Sequence, residues 1–353
     1  VRLLLRWIVL GALLCLIAAC SSQAPSAASS GASAGVVPGH SPALEEPFRS
    51  ILYRWNFYRT AAGVPPIADE SDLNDAALHH AKYLVRNHIE WGDAVIRDGR
   101  MIETGWNGSA HYESVGNPWY TADGADWAGA TTIIRGSAIP LDGASLVDGQ
   151  AERLSSTAVI NPQLTAVGFG RYCAGQDCAG VVVYRQGLEK SQFLALYEGN
   201  GMDWNAMLGS MPFTRARLRM PIEFPAHGMQ FPSGAERAGE YPDPMSSCPG
   251  FARPIGVPII LELGAPVSGD EVKVSSSSLS DGAAQIETCA FDATTYSNPD
   301  GLQQTLARRI LHYGGIVVVI PKNPLQPGHD YSVNIVADSH TYVWSFSIAP
   351  DAK

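Results

Sequence analysis

The sequence predicts an α+β chain in two unlike parts: an α+β sandwich followed by an all-β sandwich. Three observations predict it. Two amphipathic helical patterns lie between residues 41 and 88. From about 164 the period becomes that of two β-like runs around a short loop. Beyond about 212, short apolar runs recur between Pro and Gly turns, with a single helical pattern among them.

The first helix is expected in "SPALEEPFRSILYRWNFYRTAAG". Ser41 is a good N-cap, Pro42 suits the first helical position, and Glu45 and Glu46 complement the helix dipole. Ile51, Trp55, Tyr58 and Ala62 share one face, and Gly63 ends the pattern. "VPPI" is a turn. A second helix follows in "ESDLNDAALHHAKYLVRNH", with Leu73, Ala76, Ala77, His80 and Leu84 on its apolar face and Asn87 as its C-terminal cap. "LTAVGFGRYC" and "AGVVVYRQG" are β-like runs. A Met- and Pro-marked joint near 207 to 215 precedes "RLRMPIEF", "VPIILEL", "EVKVSSS", "AQIETCAF", "GIVVVIPK", "DYSVNIV" and "YVWSFSI". Seven short strands of this kind argue for an immunoglobulin-like β-sandwich. "DGLQQTLARRILHY" reads as a helix on one connection.

The N-terminal "VRLLLRWIVLGALLCLIAAC" has basic Arg2 and Arg6 and then 13 apolar residues, Trp7 to Ala19. That length suits a signal peptide better than a membrane span. Small residues immediately before Cys20 resemble the lipobox of bacterial lipoproteins, in which the cysteine is acylated and becomes the mature N-terminus. An ordinary secretory signal is the alternative. No aspartate follows Cys20, which implies the outer membrane in an organism that has one. Residues 20–44 are the lipidated cysteine and a tether rich in Ser, Ala and Gly, a composition with too little to bury to offset its ordering entropy.

The chain holds 24 basic and 34 acidic residues, a net charge of −10, and losing Arg2 and Arg6 brings it to −12. There is no Lys/Arg cluster and no finger-like Cys/His spacing, which excludes nucleic acid as a partner. Apart from Cys15 and Cys20, four cysteines remain, and in an exported chain they read as two disulfides. Cys173 and Cys178 flank "AGQD" and would clamp a hairpin loop, leaving Cys248 to pair with Cys289. A metal site from these four is the weaker reading, since no spacing is C-x₂-C.

The two helices also carry a family pattern. The turn "AAGVPPIADE", the run "ALHHAKYLVRN", the loop "HYESVGNPWYT" and the segment "VINPQLTAVGFGRY" resemble, in order, parts of the CAP superfamily of SCP-like extracellular proteins. The resemblance covers roughly residues 45 to 187 and implies a CAP-type α-β-α sandwich. It also implies a cavity of two histidines and two glutamates that binds a divalent metal in some members. His111 falls on the first histidine and Glu113 on the acid of the bacterial H-x-E loop. The glutamate expected near "GATTIIRGS" is missing, and "QAERLSSTAVINP" offers Arg153, Ser155 and Ser156 in place of the second histidine. Two of four ligands are therefore absent. Glu152, Asp123 or Asp126 would have to substitute, and no spacing recommends them. Neither a metal nor another cofactor is expected.

Other combinations lead nowhere catalytic. His79 and His80 are helical neighbours about 100° apart and cannot chelate one ion. His80 reads as a core histidine. Asp338, Ser339 and His340, if on a strand, face alternate sides and form no relay. Neither a G-x-S-x-G elbow nor an S-x-x-K motif places a serine for nucleophilic attack, and no H-E-x-x-H occurs. Trp119, Tyr120 and Trp127 line a groove or cover the sandwich, and cover is favoured.

The expected organisation is therefore a signal peptide over 1–19, the lipidated cysteine and tether over 20–44, a CAP-like domain over 45–205 and an immunoglobulin-like domain over 212–353. The expected protein is a lipoprotein of the cell envelope, non-catalytic, binding or structural, held to the membrane by its lipid. Its other partner would be an envelope or extracellular protein or a small apolar ligand. A metal-assisted hydrolase of peptide or envelope polymer, or a carrier of that apolar ligand, is the alternative.

Overall fold

A computed structural model describes residues 46–89, 93–97, 100–104, 113–128, 131–135, 143–185, 221–237, 239–240, 242–264 and 271–352. The signal-like segment, Cys20, the tether, Ser41, Pro42, His111 and the joint near 207 to 215 lie outside the described residues.

The first half runs α1 (Phe48–Ala61), β1 (Ala68–Asp69), α2 (Ser71–Arg86), β2 (Asp93–Arg97), β3 (Arg100–Thr104), α3 (Ala122–Trp127), β4 (Thr131–Arg135), α4 (Gly143–Ala151), α5 (Ser156–Val159), β5 (Ala166–Ala174) and β6 (Asp177–Arg185). The helix expected from Ser41 begins instead at Phe48. Pro47 explains the shift, because a helix already running from Pro42 would need an N–H there that proline lacks. Glu46 does the capping in place of Ser41: its carboxylate accepts from the Ser50 amide at 3.2 Å and the Ser50 hydroxyl at 2.5 Å. The far end behaves as expected, with Ala62 as cap and Gly63 at φ +73°.

The main sheet of this half has the order β1-β5-β6-β4, with β5 and β6 an antiparallel hairpin. Its two faces bury different helices, as the strand period of two requires. Val167, Phe169 and Val182 join Phe48, Leu52 and Trp55 of α1 and Val147 of α4 in one cluster. Ala166, Ala179, Val181 and Val183 join Leu73, Ala76, Ala77 and Leu84 of α2 in another. The result is the α-β-α sandwich. Helix α2 lies so close to β5 that a Cβ at Gly168 would sit 2.2 Å from the Leu73 backbone, and one at Gly170 2.0 Å from Leu78 N. Only glycine lets the two backbones approach this way.

The second half adds β7 (Ile222–Phe224), β8 (Gln230–Phe231), β9 (Ala235–Glu236), β10 (Ile255–Gly256), β11 (Ile259–Glu262), β12 (Val274–Asp281), β13 (Ala284–Ile286), β14 (Thr288–Phe291), α6 (Gly301–Gly314), β15 (Ile316–Pro321), β16 (Asp330–Ala337) and β17 (His340–Ile348). They build a four-stranded sheet, β14-β15-β11-β7, and a five-stranded one, β13-β12-β16-β17-β8. Both feed one core through residues such as Ile260, Val318, Val333, Trp344 and Phe346. β16 alternates, with Tyr331, Val333 and Ile335 buried and Ser332 and Asn334 exposed, so its outer face is solvated. α6 sits on the connection from β14 to β15. Asp338 and Ser339 do not lie on a strand. They are the two-residue hairpin turn between β16 and β17, at φ +47° and +64°, a conformation aspartate tolerates better than most side chains. They still form no relay with His340, whose Nδ1 contacts the Asp338 carbonyl.

The two disulfides pair as expected. Cys173 and Cys178 are directly opposite on β5 and β6, one step before the Gly175-Gln176 turn. Cys248 and Cys289 join a 3₁₀ turn at Pro244–Ser247 to β14. Among the described residues, no helix is long and apolar enough to cross a membrane.

The two halves form one compact unit. Tyr58 of α1 packs against Phe224 and Phe231, each at 5.8 Å between ring centroids. Glu240, on the arm leading from β9, accepts the Leu154 and Ser155 amides at 2.6 and 3.0 Å.

Two stability predictions follow from these contacts. Gly170→Ala should lower the unfolding free energy by about 2 kcal/mol or more, as overpacking against backbone does, and urea unfolding checks it. Replacing the Cys248–Cys289 pair by serines should cost about 4 kcal/mol on loop-closure grounds, against about 2 kcal/mol for Cys173–Cys178 with its far shorter loop. Denaturant midpoints of the two double variants measure the order, and the reverse order would contradict it.

Candidate functional site

The loop singled out by the sequence is laid along one side of α2. Residues 113–121 contain no regular element, and polar side chains fasten them at one turn of α2 after another. His80 Nδ1 meets Glu113 Oε1 at 2.9 Å, with both side chains fully enclosed. The Tyr83 hydroxyl accepts from the Ser114 amide at 3.0 Å. Asn117 Nδ2 donates to Asn87 Oδ1 at 2.7 Å, and Asn87 Nδ2 donates to the Tyr83 carbonyl at 2.8 Å. Positions 80, 83 and 87 are separated by three and four residues, the spacing that aligns side chains on one helix face.

The other Glu113 oxygen accepts the Thr121 amide at 3.0 Å. Thr121 then caps α3, its hydroxyl accepting from Gly124 N at 3.1 Å. Gly124 is confined to glycine by the same carboxylate, since a Cβ there would lie 2.4 Å from Glu113 Oε1. His79, one residue from His80 and turned away from it, holds Asp123 at 2.6 Å on the half-exposed side. Burial pushes the Asp123 carboxyl up, but His79, the Gly124 amide and the Thr121 hydroxyl together bring it below the ordinary range.

The aromatics of the loop act as cover. Lys82 and Arg86 lie over the Trp119 ring at 5.1 and 4.8 Å, and Arg86 also reaches Tyr172 at 5.3 Å. Trp127 is buried within the α2 cluster. Tyr120 is partly buried.

Glu113 is placed beside His111 in one cavity by the family resemblance. Its partner in the structure is His80, the residue assigned to the core, and His111 lies outside the described residues. His80 is in the core, fully buried. The run "ALHHAKYL" is the signal in the sequence that points to it. The candidate substitutes also lie elsewhere: Asp123 belongs to His79, and Glu152 faces Ser233 of the second half. Asp126 stands on α3.

The described residues do not fit a divalent ion. Glu113 is 1% exposed and spends its two oxygens on His80 and Thr121. Among the described residues, no three His, Cys, Asp or Glu side chains converge.

Residues 52–184 match the family model for CAP, the cysteine-rich secretory protein family. This segment is a CAP domain. The match begins inside α1 and ends at the last turn of β6, so it covers both helix layers and the hairpin. No curated protein matches the chain. The CAP domain here is thus followed by a β-rich half that the family model does not include.

Removing one partner of the enclosed pair leaves the other buried and unmatched. His80→Leu should therefore cost about 3 kcal/mol or more of stability, and His80→Leu with Glu113→Leu less than the two single changes combined. A double-mutant cycle by urea unfolding measures the coupling. Additive changes would show that the contact contributes nothing of its own.

Proposed function

We propose that the protein is an exported CAP scaffold of the cell envelope, non-catalytic, tethered to the membrane through an acylated Cys20. Its second half then serves as an immunoglobulin-like spacer or second binding module. One observation carries the reading: the acid at the centre of the candidate site is sealed and serves as a staple. A general base or metal ligand has to be reached by a substrate or an ion. Glu113 is instead enclosed by α2, Thr121 and the approach of Gly124, and it holds the loop in place. Two disulfides support an oxidising compartment. The partner in this reading is an envelope or extracellular protein or a small apolar ligand.

Calorimetric titration of zinc into the mature chain and its Glu113→Gln variant tests the non-catalytic part. Neither should bind at micromolar zinc. A tight site in the native chain that Glu113→Gln weakens would move the metal-assisted hydrolase to first place. Fractionation of Cys20→Ser tests the anchor. The variant should appear soluble or uncleaved, and a cleaved form still in the membrane fraction would remove the lipid from the proposal.

A further inference from the structure

The described cations that lie over aromatic rings fall into two groups. Arg54, over Phe57 and Tyr58, also meets Asp148. Arg185, over Trp127, donates to Glu70 and Asp72, and Lys322, over Phe251, donates to Glu287. Lys82 and Arg86 differ. Both lie over the Trp119 ring, and Arg86 also lies over Tyr172. Among the described residues, neither side chain makes a hydrogen bond or an ion pair. In a chain with 34 acidic residues and 24 basic ones, two neighbouring cations are left without an acid.

We propose that this face of α2 docks a peptide segment of a partner protein, one acidic side chain among apolar ones, with Arg86 and Lys82 receiving its carboxylate. The two cations stand four residues apart, on one face of the helix. The rings against them belong to anchored segments. The Trp119 amide donates to Asn117 Oδ1 at 2.9 Å, and Asn117 Nδ2 donates to Asn87, the residue after Arg86. Tyr172 lies on β5 beside the Cys173–Cys178 disulfide. Ring contact holds the Arg86 guanidinium while leaving its N–H donors unspent, and those donors form a fork that fits a carboxylate bidentately. A group held in place beforehand loses less entropy on binding. On the same loop Val115 is 77% exposed and Pro118 is exposed, which supplies apolar contact beside the charge.

Charge selects the kind of partner. An anionic bilayer or a polyphosphate chain carries many charges over a wide surface, and a chain of net charge −10 repels it. A single carboxylate meets chiefly the two cations next to it, since more distant charges are screened within about 8 Å at physiological salt. An uncharged apolar ligand would leave both cations unmatched. Trp and Arg are also the side chains that most often dominate protein–protein contacts. This inference rests on the binding part of the function proposed above and names the chemistry of its partner. It draws on neither the acylated Cys20 nor the zinc result, so each can fail without the other.

An array of hexapeptides tests the docking site, each with one central Asp or Glu among Ala, Val, Leu and Phe, beside the same array with Asn or Gln at the centre. The mature chain should be retained by acidic peptides and not by their amide counterparts. Arg86→Gln should weaken the tightest of these roughly tenfold or more, as loss of a charged hydrogen-bonded pair does, with an unchanged melting temperature. Arg86→Lys, which keeps the charge and loses the fork, should recover only part of the affinity. If Arg86→Gln does not fold, Lys82→Gln decides, with a smaller loss expected. Equal retention on both arrays, or on neither, overturns the proposal, and so does a folded variant that binds as the native chain does. Sedimentation with phosphatidylglycerol vesicles that Arg86→Gln abolishes would give the face to a membrane instead. Self-association of the native chain that the same variant abolishes would give it to a second copy, and either result overturns the peptide reading.

Discussion

Arg59 is the side chain on which most of the architecture depends. It is fully buried near the end of α1, and a buried cation is tolerated only when its donors are satisfied. Here four of its five N–H donors meet backbone carbonyls. Nε donates to the Pro65 carbonyl at 2.8 Å, Nη1 to those of Val159 and Asn161 at 3.0 and 2.8 Å, and Nη2 to that of Leu164 at 3.2 Å. Those of Pro65, Asn161 and Leu164 belong to the irregular turns that lead into β1 and β5, where there is no ladder, and that of Val159 ends α5. Neighbouring residues extend the same service. Asn56 pairs with both backbone groups of Ile67, and Trp55 Nε1 donates to Val159. One helix end therefore supplies the hydrogen bonds that two loops cannot make for themselves.

The same helix end forms the floor of the joint. Tyr58, adjacent to Arg59, presents its ring to Phe224 and Phe231 and its hydroxyl to Asp148, while Arg59 acts on Glu262 across the boundary. The CAP domain and the β-rich half thus share a core. A loosely linked pair of domains would keep separate cores, with few contacts crossing. What α1 contributes to its own domain and what it contributes to the second half cannot be separated by substitution at Tyr58.

The parts of this structure that were legible in the sequence are those set by period. Leu73, Ala76, Ala77, His80 and Leu84 all lie buried on α2, and the β5–β6 hairpin and most longer strands of the second half overlap the runs that predict them, whereas β8, β9 and β10 have no run and "AQIETCAF" divides into β13 and β14 in different sheets. Period fixes which face of an element is buried and leaves open what comes to meet it. Glu113 illustrates the limit: nothing in its own stretch of sequence names its partner, and the fold brings His80 of α2 to it from 33 positions earlier. The helix start shows a different limit, since Ser41-Pro42 is the stronger local signal and Pro47 overrides it. Arg59, Glu240 and Glu262 carried no signal at all. A lone charged residue in a sequence looks the same whether it ends in solvent or in a joint.

The acid surplus of the chain acquires a structural meaning from these sites. With 34 acidic residues against 24 basic ones, many carboxylates have no cation to meet. Several end on backbone amides instead: Glu113 on Thr121, Glu240 on Leu154 and Ser155, and Asp292 on Val274, Thr294 and Thr295. Each closes a place where the chain leaves regular structure and exposes N–H groups that nothing else satisfies. The outcome then depends on how much water is lost against how many donors are gained. Asp292 collects three amides and two hydroxyls, and despite burial its carboxyl is held below the ordinary range. Glu240 collects two amides and no cation in contact, and burial prevails. One device, a carboxylate on backbone amides, therefore holds its charge firmly in the first case and is pushed up by burial in the second. The difference lies in donor number.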